Sequence, residues 1–223
     1  MATREYLAEE IALDYSDAIL TRREALRRLG LLGLTASGAA ALLAACGGDG
    51  DGYSALAIDL LSEEGGTAAV GGEAEATAAL GQAAPERLIA DLRAGIDELE
   101  RRDRNAKLAV IGFCFGGGLT WQLLAAGEPR LAAGAPFYGP APASPDFSGS
   151  KGVFAVSAEL DSRVNATRDG AVAALEAAGL THEVRTFPGV DHAFFNDTGP
   201  SYNAAAASEA YQAVLSWFAT HVA

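Results

Sequence analysis

A short glycine-rich segment between a predicted strand and a predicted helix constrains the fold of this chain more than any other feature. Residues 108–111 form an apolar run typical of a buried strand, and residues 112–117 follow with the sequence GFCFGG. A Gly-x-Cys-x-Gly turn between a strand and a helix is the pattern of a nucleophile elbow, which lifts a reactive side chain above the strand end. Gly112 and Gly116 are predicted to keep strand and helix from colliding, because the turn is sharp. Cys114 would then lie at a helix N-terminus, where free N–H groups stabilise negative charge.

An acidic residue and a histidine follow the ends of two later predicted strands, in the order Cys114, Asp161, His192. Because the carboxyl ends of parallel strands meet at one edge of a sheet, we expect these side chains to converge. A thiol needs a base to ionise it, and the base needs a carboxylate to hold its tautomer. The order favours a triad over a packing turn with a buried, inert cysteine. Asp191 is the alternative acid, and it is disfavoured because it adjoins His192 on a different side of the loop.

Strands and helices alternate along the chain. Predicted strands cover residues 108–111, 131–138, 151–158 and 181–187, and predicted helices cover residues 85–102, 166–178 and 203–222, with another beginning near Leu119. This alternation implies an α/β fold with a mostly parallel sheet and helices on both of its faces.

Charge and cysteine usage exclude several classes of partner and cofactor. The net charge of −13 argues against nucleic acid or anionic lipid, since both are bound through Lys and Arg. The chain has two cysteines and no Cys/His spacing of the metal-binding kind, so we expect no metal and no cofactor.

Aromatic residues are frequent near the predicted site. Five of them either line an apolar acyl pocket or belong to the core, namely Phe113, Phe115, Trp121, Phe194 and Phe195. Tyr138 ends a predicted strand on the same edge of the sheet, and we assign it no role.

At these positions the chain resembles the dienelactone hydrolase family, a branch of the α/β-hydrolases with a Cys nucleophile. The resemblance rests on residues 112–117 with Gly112, Gly116 and Gly117, on the Asp161 loop, on residues 191–194, and on residues 52–60, which are similar to a family strand. It runs from about residue 52 to the C-terminus. It implies hydrolysis of a small ester or enol-lactone by Cys114, His192 and Asp161, with the N–H of Phe115 as an oxyanion donor.

The chain departs from the family pattern in two places. The family's first strands are absent before Tyr53, so we expect a sheet truncated at its N-terminal edge, without the loop that supplies a second oxyanion N–H. Losing one such donor lowers the rate by about 10²–10³. Asn196 stands where namesake members have a carboxylate-binding arginine, so a neutral ester or thioester is an alternative to an anionic lactone. The rival hypothesis is a catalytically impaired domain with a binding or structural role.

The first 46 residues predict an export signal rather than part of the fold. Arg22 and Arg23 form a twin-arginine pattern, residues 29–45 are uncharged, and Cys46 ends a sequence that looks like a bacterial lipobox. A basic segment, an apolar stretch and small residues before a cleavage point are typical of a secretory signal. The alternative is a helix of the domain itself over residues 6–20.

This signal sets the predicted domain organisation. Residues 1–46 would be the signal, residues 47–52 a flexible tether and residues 53–223 an incomplete domain similar to the dienelactone hydrolases. We expect a bacterial protein that is lipid-anchored through Cys46 to the outer face of the cytoplasmic membrane, or periplasmic. The membrane would be contacted only through this signal or anchor, and the remaining partner would be a small ester or lactone.

Overall fold

The computed structural model describes residues 53–222. Of these, residues 56–222 belong to one compact unit, and residues 53–55 belong to another and have no regular secondary structure. The predicted signal with Arg22, Arg23 and Cys46, and the predicted tether, lie outside the described residues.

The elements alternate as the sequence predicts. Two short 3₁₀ turns, Ser62–Glu64 and Thr67–Ala69, are followed by α1 (Glu73–Gln82), α2 (Pro85–Arg102), β1 (Leu108–Phe113), α3 (Phe115–Ala125), β2 (Leu131–Phe137), β3 (Gly152–Ala158), α4 (Ser162–Ala177), β4 (His182–Phe187) and α5 (Ala204–His221). None of the helices in this part of the chain is long and apolar enough to span a membrane.

The four strands form one parallel sheet in the order β1-β2-β3-β4. Phe113 pairs with Phe137 and Phe137 with Val156, while Ala158 pairs with Phe187. The strands therefore end side by side, and their exit loops share one edge of the sheet.

Helices cover both faces of this sheet, which confirms the predicted α/β architecture. Strand β3 is buried along its whole length, as expected of a central parallel strand. Its Val153 and Ala155 pack in a cluster with Leu175 of α4, and its Phe154 and Val156 pack in a cluster with Val214 of α5. Alternate side chains of one strand thus point to opposite layers.

Helix α2 has the predicted bounds because its local signals agree. Pro85 occupies the first helical turn, where its missing N–H is not needed. An apolar stripe that includes Ile96 faces Leu108 of β1, and Arg101 and Arg102 lie in the last turn, where cations suit the helix dipole.

Two predicted helix starts were too late. Helix α3 begins at Phe115 rather than near Leu119, because glycines 116–118, which sequence statistics treat as helix breakers, lie within its first turns. Helix α4 begins at Ser162 rather than at residue 166, because the side chain of Asp161 accepts the Val164 N–H and caps the helix.

The predicted strand over residues 52–60 was wrong for the part that is described. Residues 53–59 have no regular structure, and Leu60 lies in a turn. A strand needs a ladder partner, and among the described residues the sheet consists of β1 to β4 alone.

The exit of β2 passes directly over the first turns of α3. A Cβ on Gly139 would overlap the backbone of Gly117 and Gly118, and a Cβ on Gly117 would overlap the carbonyl of Phe137. This contact is backbone against backbone, so no rotamer change can relieve it.

We therefore expect the Gly139→Ala variant to lose about 3 kcal/mol of unfolding free energy, measured by urea denaturation. Gly170→Ala is the matched control, because Gly170 lies inside α4 with no atom within 4 Å of its hypothetical Cβ. That control should gain about 0.5–1 kcal/mol from helix propensity. Equal stabilities of the two variants would contradict the backbone contact.

Candidate active site

Cys114 lies at the junction of β1 and α3 in a strained conformation. Its φ and ψ are 54° and −114°, a region that residues other than glycine rarely adopt. Its backbone N–H donates to the carbonyl of Phe137 at 3.1 Å, which fixes the turn to the neighbouring strand. The thiol is free and exposed, as a nucleophile elbow requires.

The prediction that Gly112 and Gly116 keep the strand and the helix from colliding is confirmed at Gly112 and wrong at Gly116. A Cβ on Gly112 would overlap the carbonyl of Gly116, so strand and helix approach closely there. A Cβ on Gly116 would have no atom within 4 Å, so this glycine does not prevent a collision. The close contact on the helix side belongs to Gly117 instead.

The three predicted triad residues lie in contact. Nε2 of His192 is 3.0 Å from Sγ of Cys114, and Nδ1 of His192 is 2.6 Å from Oδ2 of Asp161. A carboxylate that accepts the Nδ1–H leaves Nε2 free to accept the thiol proton. The structure therefore brings together a thiol, a base and the group that orients the base, while their catalytic role stays a prediction.

Both oxygens of the Asp161 carboxylate are used. Oδ2 bonds the imidazole, and Oδ1 accepts the N–H of Val164 at 3.1 Å as the N-cap of α4. Asp161 is only 6% exposed, so water does not compete for either bond. Asp191, the alternative acid, is exposed and accepts the backbone N–H of His192 rather than a ring proton.

The loops that carry Asp161 and His192 are bonded to each other. The N–H of Glu159 donates to Phe187, and the N–H of Leu160 donates to Val190, each at 3.0 Å. The carboxylate of Glu159 accepts the N–H of Gly189 at 2.7 Å. These bonds hold the acid and the base at a fixed separation.

Residues with strained backbone conformations are concentrated at this edge of the sheet. In residues 53–222, the non-glycine residues with positive φ are Cys114 (54°), Tyr138 (34°) and Ala193 (63°), which directly follows His192. Each such conformation costs about 1–3 kcal/mol and persists only where the surroundings enforce it. Its concentration around one thiol makes this edge the candidate for the functional one.

Tyr138 lies in the candidate site, although the sequence analysis assigned it no role. It directly follows β2, is 2% exposed, and its ring centroid is 5.2 Å from that of His192 in an edge-on arrangement. Burial, and secondarily the charge of Cys114, raise the pKa of Tyr138 to about 12. The sequence signal for it is its place at the end of a predicted strand, whereas its contact with His192 could not be read from the sequence.

The aromatic residues divide between site and core. Phe113 and Phe115, on either side of Cys114, are 37% and 44% exposed. Phe195 stacks on Phe113 with a centroid distance of 5.1 Å. Trp121 and Phe194 are buried in core clusters, so neither can line an acyl pocket.

Phe115 is the first residue of α3. The N–H groups of a first helical turn have no partner inside the helix, and the helix dipole makes this end favourable for negative charge. The placement fits the predicted oxyanion donor, whose role stays a prediction.

Other features of the described residues lie away from this chemistry. A hollow of about 580 Å³ opens at the opposite edge of the sheet, where Lys107, Lys151 and His221 are among its lining residues and no triad residue is. In the part of the chain that the structure describes, no group of three or more His, Cys, Asp or Glu side chains could hold a metal ion.

Comparisons with known proteins agree on one family. The model of the dienelactone hydrolase family matches residues 49–222. A protein of Escherichia coli O157:H7, provisionally assigned as a carboxymethylenebutenolidase, is 33% identical over 124 residues, which are 50% of this chain and 45% of that protein. One of Methylorubrum extorquens with the same provisional assignment is 29% identical over 182 residues, 75% of this chain and 62% of that protein. The match thus spans less than two thirds of either relative.

A solved structure supports the same fold. The crystal structure of a protein from Klebsiella pneumoniae, provisionally described as a dienelactone hydrolase, superposes with a TM-score of 0.55 at 27% identity and covers 63% of each chain.

Asp161 caps α4 and contacts the His192 imidazole, and two substitutions can separate these two roles. In Asp161→Asn the side chain still caps α4 but presents the wrong group to Nδ1, so alkylation of Cys114 by iodoacetamide should slow about tenfold or more. In Asp161→Ala the cap is lost as well, and stability should fall by about 1 kcal/mol more than in Asp161→Asn.

Asn203→Ala is the control, because Asn203 caps α5 through the N–H of Ala206 and carries no triad function. It should lose similar stability in urea denaturation while the alkylation rate stays at the wild-type value. Alkylation of Asp161→Asn at the wild-type rate would contradict the orienting role of the carboxylate.

Proposed function

The chain belongs to the dienelactone hydrolase family, and from this premise we propose that it hydrolyses small, neutral carboxylic esters or lactones with Cys114 as nucleophile. His192 serves as the base, and Asp161 orients it. The observation that carries the proposal is the unbroken series of contacts from Sγ through the imidazole to the buried carboxylate.

The first half-reaction forms a thioester. Sγ of Cys114 attacks the carbonyl carbon while Nε2 of His192 accepts the thiol proton. The resulting imidazolium is stabilised by Asp161 and then donates its proton to the leaving oxygen. An ester releases its alcohol at this point, whereas a lactone opens and stays attached through its acyl group.

The second half-reaction restores the enzyme. Water attacks the thioester carbonyl as Nε2 of His192 accepts a proton from it, and the imidazolium returns that proton to the sulfur as the carboxylic acid leaves. In both halves the carbonyl oxygen becomes an oxyanion. The backbone N–H of Phe115, at the start of α3, is the donor that we assign to it.

The charges around the site favour a neutral substrate. Glu159, Asp161 and Asp191 lie in the two loops that carry the acid and the base. Asn196 accepts from the N–H and the hydroxyl of Thr198, so it is engaged within its own turn and offers no positive charge. A substrate carboxylate here would meet like charge from these loops.

The rival hypothesis, an inactive domain kept for binding, is less well supported. The positive φ of Cys114 destabilises the fold, and a binding domain gains nothing from it. An aligned acid, base and thiol is likewise of no use without chemistry.

We also propose that the protein is exported by the twin-arginine pattern at Arg22 and Arg23 and is lipid-anchored through Cys46. The proposal rests on the sequence, since these residues lie outside the described ones. A mass spectrum of the protein from its host should match a chain that starts at Cys46 and carries acyl groups. An intact chain starting at Met1 would contradict it.

Hydrolysis of 4-nitrophenyl butyrate tests the proposed reaction. The wild type should release nitrophenolate, and Cys114→Ala should be slower by at least ~10³-fold, because it lacks the nucleophile. Mono-4-nitrophenyl glutarate, an ester with a free carboxylate, should react more slowly than the butyrate because of the acidic loops. Equal rates of the wild type and Cys114→Ala would remove the enzyme hypothesis, and a preference for the glutarate would remove the neutral-substrate one.

A further inference from the structure

The imidazole of His192 makes a hydrogen-bond contact at each nitrogen, but these two contacts only weakly oppose movement of the ring out of its own plane. Its contacts with Asp161 and Cys114 lie at opposite ends of the ring. Hydrogen bonds to ring nitrogens lie near the ring plane, so they oppose movement perpendicular to that plane only weakly. A rigid neighbour beside the ring is needed to prevent this movement.

Among the described residues, Tyr138 is the aromatic residue that packs against this imidazole. Its ring meets that of His192 at 5.2 Å with an angle of 64° between the planes. The Tyr138 ring packs in turn against Phe194, with a centroid distance of 5.6 Å, and against Phe137, at 6.1 Å, both fully buried. Because Tyr138 is itself 2% exposed, its ring cannot swing aside to make room for the imidazole.

The backbone of Tyr138 is strained in a way that serves this placement. Its φ of 34° is unfavourable for any residue with a side chain, and its N–H is held by the carbonyl of Val156 at 2.7 Å. The following residue, Gly139, packs against the backbone of α3. A glycine at position 138 would adopt this conformation with less strain. The strain is therefore the cost of having the tyrosine side chain at this position.

Tyr138 can act on His192 through the packing of its ring, but not through a charge on its phenol. With its pKa raised to about 12 by burial, the phenol stays protonated and neutral at any pH at which the protein would work. It therefore cannot accept the proton that His192 carries.

We propose that Tyr138 is a positioning residue, whose ring holds the His192 imidazole against Cys114. Loss of the ring lets the imidazole move away from the sulfur, which slows proton transfer without changing the groups that contact the substrate. The effect on turnover rests on the proposed function, and the effect on thiol reactivity does not.

The test compares Tyr138→Phe, which keeps the ring, with Tyr138→Leu, which removes it, in the full chain. Tyr138→Leu should lower kcat for 4-nitrophenyl butyrate by about 10- to 100-fold with KM unchanged, as expected of a misplaced base. Tyr138→Phe should keep at least about half of the wild-type kcat. Alkylation of Cys114 by iodoacetamide should follow the same order.

Phe154→Leu is the matched control, because Phe154 is a 1% exposed ring in the same core cluster and its ring contacts Trp217 and Arg185. It should lower the urea midpoint about as much as Tyr138→Leu and leave kcat and alkylation unchanged. If Tyr138→Leu does not fold, Tyr138→Met takes its place, since its flexible side chain adapts to an irregular space without supplying a ring.

The outcomes separate the two proposals. Wild-type rates in Tyr138→Leu, or an equal loss in Tyr138→Phe, would overturn the positioning role, because the ring would then be dispensable or the hydroxyl would be the active part. A rise in KM with kcat unchanged would also overturn the positioning role. Absence of ester hydrolysis in the wild type would defeat the proposed function, and the alkylation series would still decide the role of Tyr138.

Discussion

The close approach of the β2 exit to the first turns of α3 is the constraint on which the site depends. Gly117 and Gly139 meet backbone to backbone, and the N–H of Cys114 donates to Phe137 in the same region. A side chain at either glycine would push the helix away from the sheet. The sulfur would then move away from the loops that carry its partners, because those loops are fixed to β3 and β4.

The site combines strain with compensating bonds. The unfavourable backbone at Cys114, Tyr138 and Ala193 is surrounded by the most regular part of the fold, a parallel sheet with a buried central strand. The bonds between the Asp161 and His192 loops add a second restraint. A strained arrangement that would not persist in an isolated peptide is thus enforced by the surrounding fold.

The sequence was most informative where signals are local. Strands β1 to β4 were predicted within two residues because their apolar runs are long and bounded by polar turns, and Cys114, Asp161 and His192 followed from their places after those strands. The contacts of Gly139 and Tyr138 could not be predicted, since each depends on residues distant in the chain. The start of α3 was missed because glycines that disfavour a helix are tolerated here for packing.

The carboxylate of Asp161 has two partners, and this links the order of the first turn of α4 to the orientation of the proposed base. The same side chain begins α4 and orients the imidazole. Helix ends open at lower free energy than the core does. Warming that loosens the first turn of α4 would therefore release the imidazole while the sheet is still intact, so heat inactivation would precede global melting.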